Sequence, residues 1–456
     1  MENFVDICTL YSKREELDLD FLSQVYNDMT LLESNIRGLT NNHLTDSNIR
    51  DKKILMKPNW VRHNIKSTDE LCLCTHEHFV LAVLKIILEK GPKSVIIADA
   101  PIQGCDWNRL LSNHFLDQIK QLSNQYNIDI QIKDLRRTVL NVNQNSIQKD
   151  RVSLDDYIIF DVGKKSYLEP ITSNENRFRV TNYNPDKLAI THRKGVHKYC
   201  IAKDVFNADV VITLPKIKTH QKAGLTNAMK ILVGVNGDKD YLPHHRLGAK
   251  GYGGDCYPGY NILRSCSEYL LDMSNRHIGE KKSRWLSRIS TALWRLSLPT
   301  QEQNLGAGWY GNDTVWRMVL DLNMIVEYGD IDGSISTKKQ RDLYSLCDGI
   351  IGGQGDGPLN PAPLPLGVIL FSNNAYWTDI VAGHLLSMDI DCIPLLKAAS
   401  NIISGSNCQI CVNGNKAGID SLNRYSVEAQ MSPGWINYKN NYILFNRKFN
   451  KVKGGL

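Results

Sequence analysis

The chain reads as an α/β protein: a mostly parallel sheet with helices on both faces, an inserted antiparallel or irregular part, and a β-rich C-terminal tail. Three observations predict this. Short continuous apolar runs recur at 54–56, 95–98, 210–214 and 368–371, and strands apolar on both faces belong to parallel sheets covered on both sides. Between them lie segments with helical periodicity, such as Phe79, Val80, Val83, Leu84 and Ile87. The length of 456 residues exceeds one ordinary core, which suggests two domains or one elaborated α/β domain.

Residues 1–50 are polar and helix-leaning, with Leu17, Phe21, Val25, Met29 and Leu32 at three-to-four spacing. A packed peripheral helix is expected there. The main α/β domain is assigned to 51–400. Its first strand ends in Lys57-Pro58-Asn59-Trp60, and Thr75 is placed to cap a helix that Gly91-Pro92 closes. The strand at 95–98 ends in Asp99, and a helix (about 107–121) and a strand (128–132) follow. From about 134 to 195 the pattern weakens into short strands among Asn- and Pro-rich segments, an inserted part with antiparallel hairpins. A helical insertion spans about 260–300, broken near Asn275. Its second piece, 281–298, is basic and amphipathic; packing on its own domain, or closing over the site as a lid, is expected rather than lying on a membrane. Asn312 or Asp313 can cap the helix at 315–326. A strand at 349–351 runs into Gly352-Gly353-Gln354-Gly355-Asp356-Gly357-Pro358, and a helix at 378–388 follows the strand at 368–371. The tail, 401–456, is expected to be peripheral and β-rich. No internal repeat or low-complexity tract is present.

Net charge is +6, but it is unevenly placed. Residues 187–250 carry twelve Lys/Arg and four Asp, a local balance of +8, with five His. Such a field suits a small anion better than a long duplex, so the expected partner is a small anionic ligand, with no nucleic acid and no membrane contact. The start, MENFVDICTLYSKREE, has early acids and no basic segment before an apolar core, so no export signal is expected. No apolar run approaches the roughly 20 residues of a membrane span. Eleven unevenly spaced cysteines do not make a disulfide framework. Reduced thiols and a cytoplasmic location are expected.

The centre of the reading is 210–245. An apolar strand stops at Pro215, and Lys216, Lys218, Thr219, His220 and Lys222 follow within eight residues. A helix is expected to open at Thr226 or Asn227, with Thr226 and Lys230 sharing a face. A strand end, a cationic loop and a helix N-terminus form the usual ligand position of an open α/β sheet. Lys57 and Asn59, Asp99, Lys216 to His220, and Gly352 to Asp356 all follow strand ends. They meet along one sheet edge if those strands are parallel neighbours. Lys57, Asn59, Lys216, Lys218, Thr219, Lys230, His244, His245 and Arg246 are candidate anion-binding residues. His220 is the candidate for proton transfer, and Asp99 and Asp356, with Asp379, are candidate acids or cation holders.

No metal set is assigned. His244-His245 lacks HExxH spacing. Cys72, Cys74, His76 and His78 would share a strand face only without the cap expected at Thr75. Cys408 and Cys411 form a lone CxxC and are expected to be structural. Gly306, Gly308 and Gly311 match GxGxxG, but residues 301–304 do not read as the preceding strand a dinucleotide fingerprint needs.

Several stretches together resemble the bacterial and archaeal family called domain of unknown function 362 (DUF-362). They are KPNW at 57–60, THEH at 75–78, ADAP at 98–101, ADVVITLPKIKTHQKAGLTNAMKILVGVNGDKDYLPHHRLG at 208–248, YGNDTVWRMVLDLN at 310–323 and DGIIGGQGDGPLNPAPLPLGVIL at 348–370. They come in the family's order and cover most of residues 50–400. The chain is similar to the longer single-module members, some of which sit among surface-polysaccharide genes; it lacks the ferredoxin-like segment of others. Where such members usually show an acid after GGD, this chain has Cys256, so no carboxylate is offered to a cation at that position. The resemblance implies an intracellular α/β protein and supplies no reaction and no cofactor. Three functions remain open: an enzyme acting on an anionic metabolite or sugar derivative, a non-catalytic accessory protein in surface-glycan assembly, and a metal or iron–sulfur redox protein. The oligomeric state is not legible.

Overall fold

The computed structural model describes residues 2–141, 146–298 and 306–439. Residues 301–304 and the end of the expected tail, 440–456, lie outside them. The frame is an eleven-stranded sheet. Its strands, in chain order, are β1 (Asn3–Thr9), β2 (Lys53–Pro58), β3 (Ser94–Asp99), β4 (Asp129–Asp134), β5 (Val210–Leu214), β6 (Lys216–His220), β7 (Gly224–Thr226), β8 (Asp342–Asp356), β9 (Asn360–Ser372), β10 (Cys408–Val412) and β11 (Asn415–Lys416). The spatial order is β11-β10-β1-β9-β8-β5-β2-β3-β4, with β6 beside β8 and β7 beside β6. The pairs β4–β3, β3–β2, β2–β5 and β5–β8 are all parallel, and β9 turns back antiparallel to β8.

Side chains alternate across these strands with period two. Ile54, Met56, Val210, Ile212, Leu214, Ile369 and Phe371 face one apolar core. It is covered by α1 (Leu19–Asn27), α2 (Met29–Thr40), α3 (Glu77–Leu88) and α4 (Asn113–Tyr126). Leu55, Val211, Val368 and Leu370 face the opposite core, which contains α7 (Val315–Tyr328), α8 (Ala375–Leu385) and α9 (Pro394–Ile402). The helices lie on both faces, and the α/β class follows from that arrangement.

Several local expectations are corrected. Residues 3–9 are not part of a peripheral helix: β1 lies between β9 and β10, inside the sheet. The tail also joins the sheet, as β10 pairs parallel with β1. The helix α3 is capped by His76, whose Nδ1 accepts from the His78 N–H at 3.2 Å, and not by Thr75. Thr75 instead ties two strand ends: its Oγ1 donates to Leu214 O at 2.5 Å and accepts from Asn59 N at 2.9 Å. The stretch Asp69–Leu88 is long and apolar enough to cross a membrane by composition, against expectation, and it is mostly buried inside the protein. Nine of the residues of α3 are buried; at ~1.5–3 kcal/mol per large apolar side chain, protein packing is a sufficient reason for their apolarity.

The inserted part contains the hairpin Val139–Asn141/Ser146–Gln148 and a three-stranded antiparallel sheet of Tyr157–Asp161, Val196–Ala202 and His192–Arg193. The helical insertion is a hairpin of α5 (Ile262–Arg276) and α6 (Lys281–Leu296). Small residues let the two approach: Ser267 Oγ donates to Ser290 O at 2.7 Å and Ser274 Oγ to Ser283 O at 2.8 Å. The basic helix therefore packs on its own domain, with Trp285 and Leu296 left exposed.

Candidate functional site

Because β3, β2 and β5 are parallel neighbours, their carboxyl ends fall side by side, while β8, paired with β5 only through its first residues, runs on past them. Lys57, near the end of β2, and Asp99, at the end of β3, form an ion pair at 2.8 Å. Asp99 is held by two backbone donors, Trp60 N and Ala100 N, both at 2.7 Å. Lys57 also donates to Pro58 O at 2.8 Å. Burial pushes the Lys57 amine below its usual value despite Asp99. Gly234 closes this floor. A Cβ there would lie 2.0 Å from Asp99 Oδ1 and 2.6 Å from Lys57 Nζ.

Lys216 to His220 is not a loop. Pro215 interrupts the chain, which then resumes as β6 along the distal half of β8, with Lys216 opposite Asp348 and Lys218 opposite Gly353. All five residues are buried. The expected helix at Thr226 is also absent: β7 ends there, and only a 3-10 turn, Lys230–Val235, follows. A helix dipole therefore plays no part in drawing an anion here. The glycines at 352–353 serve packing, since a Cβ on Gly353 would sit 2.8 Å from Lys218 Cβ.

The lysines divide by their partners. Lys216 is neutralised, its Nζ lying 3.0 Å from Asp348 and 2.9 Å from Tyr26 Oη. Asp348 also accepts from Tyr26 Oη at 2.5 Å and His76 N at 3.1 Å. This is a closed, buried network. Lys218 donates to two carbonyls, Leu73 O and Pro358 O. Lys222 donates to Thr181 Oγ1 at 2.7 Å and Lys239 to Val233 O at 3.0 Å. For Lys230 no hydrogen bond or ion pair is found among the described residues. Burial and neighbouring cations push Lys218 to about 8 and Lys230 to about 7. Burial alone, against nearby carboxyl and thiol groups, takes Lys222 to about 8, and Lys239 falls to about 7. Lys230 is partly exposed, so water reaching its amine moderates the drop.

Two histidines face this cluster in complementary forms. His220 is buried and neutral, pushed well down by desolvation and then by Lys230 and His244. Its Nδ1 accepts from Lys222 N at 3.0 Å and Ala223 N at 3.1 Å. The proton is therefore on Nε2, a hydrogen-bond donor. His244, pushed down to about 3 by burial and then by Lys222 and Lys230, has Nδ1 2.7 Å from Leu242 O. That nitrogen must donate, which leaves Nε2 with its lone pair. Asn59 Nδ2 and Thr226 Oγ1 are also buried without partners, and Thr226 stands opposite Lys218 in the β6–β7 ladder.

Other candidates fall elsewhere. Thr219 Oγ1 donates to Gly355 O at 3.0 Å. Asp356 is exposed at the tip of the β8–β9 hairpin, opposite Asn360. Arg246 is bracketed by Asp255 at 3.5 Å and Asp313 at 3.7 Å. Asp379 is buried beneath Met229 N, and desolvation raises it to about 8. His245 turns toward Cys256 and Glu268. Cys72 and Cys74 donate to separate carbonyls, Thr68 O and Arg62 O, while His76 stacks on Tyr26 with centroids 4.0 Å apart. Cys408 and Cys411 are free thiols on β10. A surface cavity of about 290 Å³ lies apart from the lysines, between Tyr310, Asp313, Trp316 and Lys397. Lys239 and Gly234 were not singled out from sequence. Their signal was position alone, inside the same basic stretch.

Residues 160–384 match the family model described as Domain of unknown function (DUF362). No curated protein matches the chain. A crystal structure of a Thermotoga maritima protein from the Northeast Structural Genomics Consortium aligns with 74% of this chain and 54% of its own, at 9% identity and a TM-score of 0.32. This chain thus spans about half the length of that one. The motifs from 208 to 370 lie inside the matched segment, and over those residues the chain is similar to the DUF362 family.

Proposed function

We propose that the chain binds a small anion, a phosphate or carboxylate on a metabolite or sugar derivative, over Lys218, Lys230 and His220, and acts on it by proton transfer. One observation carries this reading. Lys218, Lys222, Lys230 and Lys239 gather in one largely buried neighbourhood, and the ion pair of Asp99 is already given to Lys57. Gathering like charges away from water is costly without an anion between them. A ligand anion would raise each amine toward its ordinary value and supply the missing partner of Lys230.

The two histidine tautomers support an enzyme over a passive binder. His220 Nε2–H would donate to the ligand, and His244 Nε2 would accept a proton from it. Lys230, at about 7, can exchange a proton near neutral pH. Lys57 and Asp99 form the floor of the site and position the turn that carries Lys230.

Native mass spectrometry of protein purified without added ligand tests the reading, with Lys230→Met in parallel. A retained anionic small molecule, absent from the variant, is expected. If wild type retains nothing, and neither inorganic phosphate, pyrophosphate nor citrate stabilises it, the proposal is wrong.

A further inference from the structure

His245, Cys256 and Glu268 have no part in the reading above, yet three separate elements bring them together. His245 lies on a two-residue strand held against Phe178–Arg179. Cys256 is in the glycine-rich loop 248–259, its N–H donating to Gly248 O at 3.0 Å. Glu268 comes from α5. All three are buried, and one ligand atom from each lies within 4.8 Å of the others. We propose that they form a site for one divalent transition-metal ion of the zinc class, with a fourth coordination position left open.

The donor set selects the metal. Imidazole nitrogen, thiolate sulfur and carboxylate oxygen suit zinc-like ions, whereas magnesium and calcium prefer oxygen alone. Bonds of about 2.0–2.3 Å in a tetrahedron put ligand atoms roughly 3.5 Å apart. The present spacing closes onto an ion with movements of about an ångström.

A second observation points to a missing partner. His245 is 5% exposed, and its Nδ1 is buried without a hydrogen-bond partner among the described residues. Such a buried group is costly unless something satisfies it. Glu268, by contrast, is already aimed: Gly248 N–H donates to its two oxygens at 3.1 and 3.2 Å. Orientation of a ligating carboxylate by a backbone donor is the usual outer support of a metal site. The loop can close only with glycine at 254, where a Cβ would lie 2.1 Å from Gly248 O.

Charge also balances. Without metal, the Cys256 thiol hydrogen-bonds the Glu268 carboxylate. On binding, the thiol proton leaves to solvent and sulfur takes up the metal. Thiolate, carboxylate and neutral imidazole then offset a divalent ion without a residual charge. Three protein ligands with one open position is the pattern of sites that take water or a substrate atom. Lys222 is an electrostatic neighbour of Cys256 and His245 and also of Lys230, so the metal would border the anion site while standing independently of it.

Cobalt(II) titration of the full chain, stripped with a chelator and kept reduced, tests the site. One cobalt per chain is expected, with thiolate-to-cobalt charge-transfer absorption, tetrahedral visible bands and displacement by zinc. Cys256→Ser should abolish the charge-transfer absorption, and Glu268→Gln should weaken binding by more than about tenfold. Cys266→Ser, an exposed thiol on the same helix, should change neither. Circular dichroism checks each fold, and Glu268→Gln decides the matter if Cys256→Ser fails to fold. Failure of folded wild type to bind stoichiometric cobalt overturns the proposal, as does a charge-transfer band that survives in Cys256→Ser or disappears in Cys266→Ser.

Discussion

Replacing Lys230 by methionine should stabilise the ligand-free protein and weaken anion binding at once. The two effects have different origins. Burial and the neighbouring lysines push the Lys230 amine from 10.5 to about 7. A shift of that size is worth at most about 5 kcal/mol, and partial exposure reduces it to ~1–2 kcal/mol. Methionine keeps most of the volume and strands no partner, since no hydrogen bond or ion pair is found for Lys230 among the described residues. Near neutral pH the variant should therefore gain about 1–2 kcal/mol. Binding should move the opposite way, because a hydrogen bond to a charged group contributes ~1.5–3 kcal/mol, a loss of roughly 10–150-fold in affinity. Urea unfolding with and without pyrophosphate measures both. If Lys230→Met destabilises the free protein and leaves the pyrophosphate effect unchanged, Lys230 is an ordinary structural lysine and the reasoning fails.

Three further outcomes follow from the same geometry. Gly234→Ala puts a Cβ 2.0 Å from Asp99 Oδ1, so it should force the Lys57–Asp99 pair apart and cost ~3–5 kcal/mol in denaturant unfolding; unchanged stability would contradict the closed floor. Asp348→Asn strips the counter-charge from fully buried Lys216 and should cost a similar ~3–5 kcal/mol, whereas Asp356→Asn at the exposed hairpin tip should leave stability within ~0.5 kcal/mol. Stability without ligand should rise with pH above about 7. Lys218 and Lys222 (about 8) and Lys230 and Lys239 (about 7) lie below the usual 10.5, so over that interval the unfolded chain holds more protons than the folded one. The penalty is fully present below about 7 and relieved as the amines lose their protons; an unfolding midpoint that stays flat between about pH 7 and 9 would count against it.

The frame was legible because strands apolar on both faces leave a plain trace. The runs at 54–56, 95–98, 210–214 and 368–371 all fall within sheet strands. The β1 strand, NFVDICT, was not legible. Its partners lie about 370 and 400 positions away, Val5 opposite Ser372 on β9 and opposite Ile410 on β10, and its Asp6 lies 3.0 Å from His43 Nε2. The same distance problem hid β6. Two lysines in five residues read as a cationic ligand-binding loop until Asp348, 132 positions on, is seen to neutralise the first. Gly352 and Gly353 read as a ligand loop because glycine usually marks a turn. Here they let two strands carrying large side chains approach. The region of the candidate site is marked in the sequence by the concentration of positive charge. The division between the neutralised Lys216 and Lys230, for which no partner is found among the described residues, needed the fold, as did the two histidine tautomers.

The central claim is that an anion settles among underprotonated lysines. Calorimetric titration with pyrophosphate, repeated in buffers of different ionisation enthalpy, tests it most directly. At a pH about one unit above the Lys230 value of about 7, binding must restore protons to the amines. Net proton uptake is predicted there, falling toward zero about one unit below that value and reduced in Lys230→Met. Binding with no proton uptake at either pH, or uptake unchanged in the variant, would contradict the account.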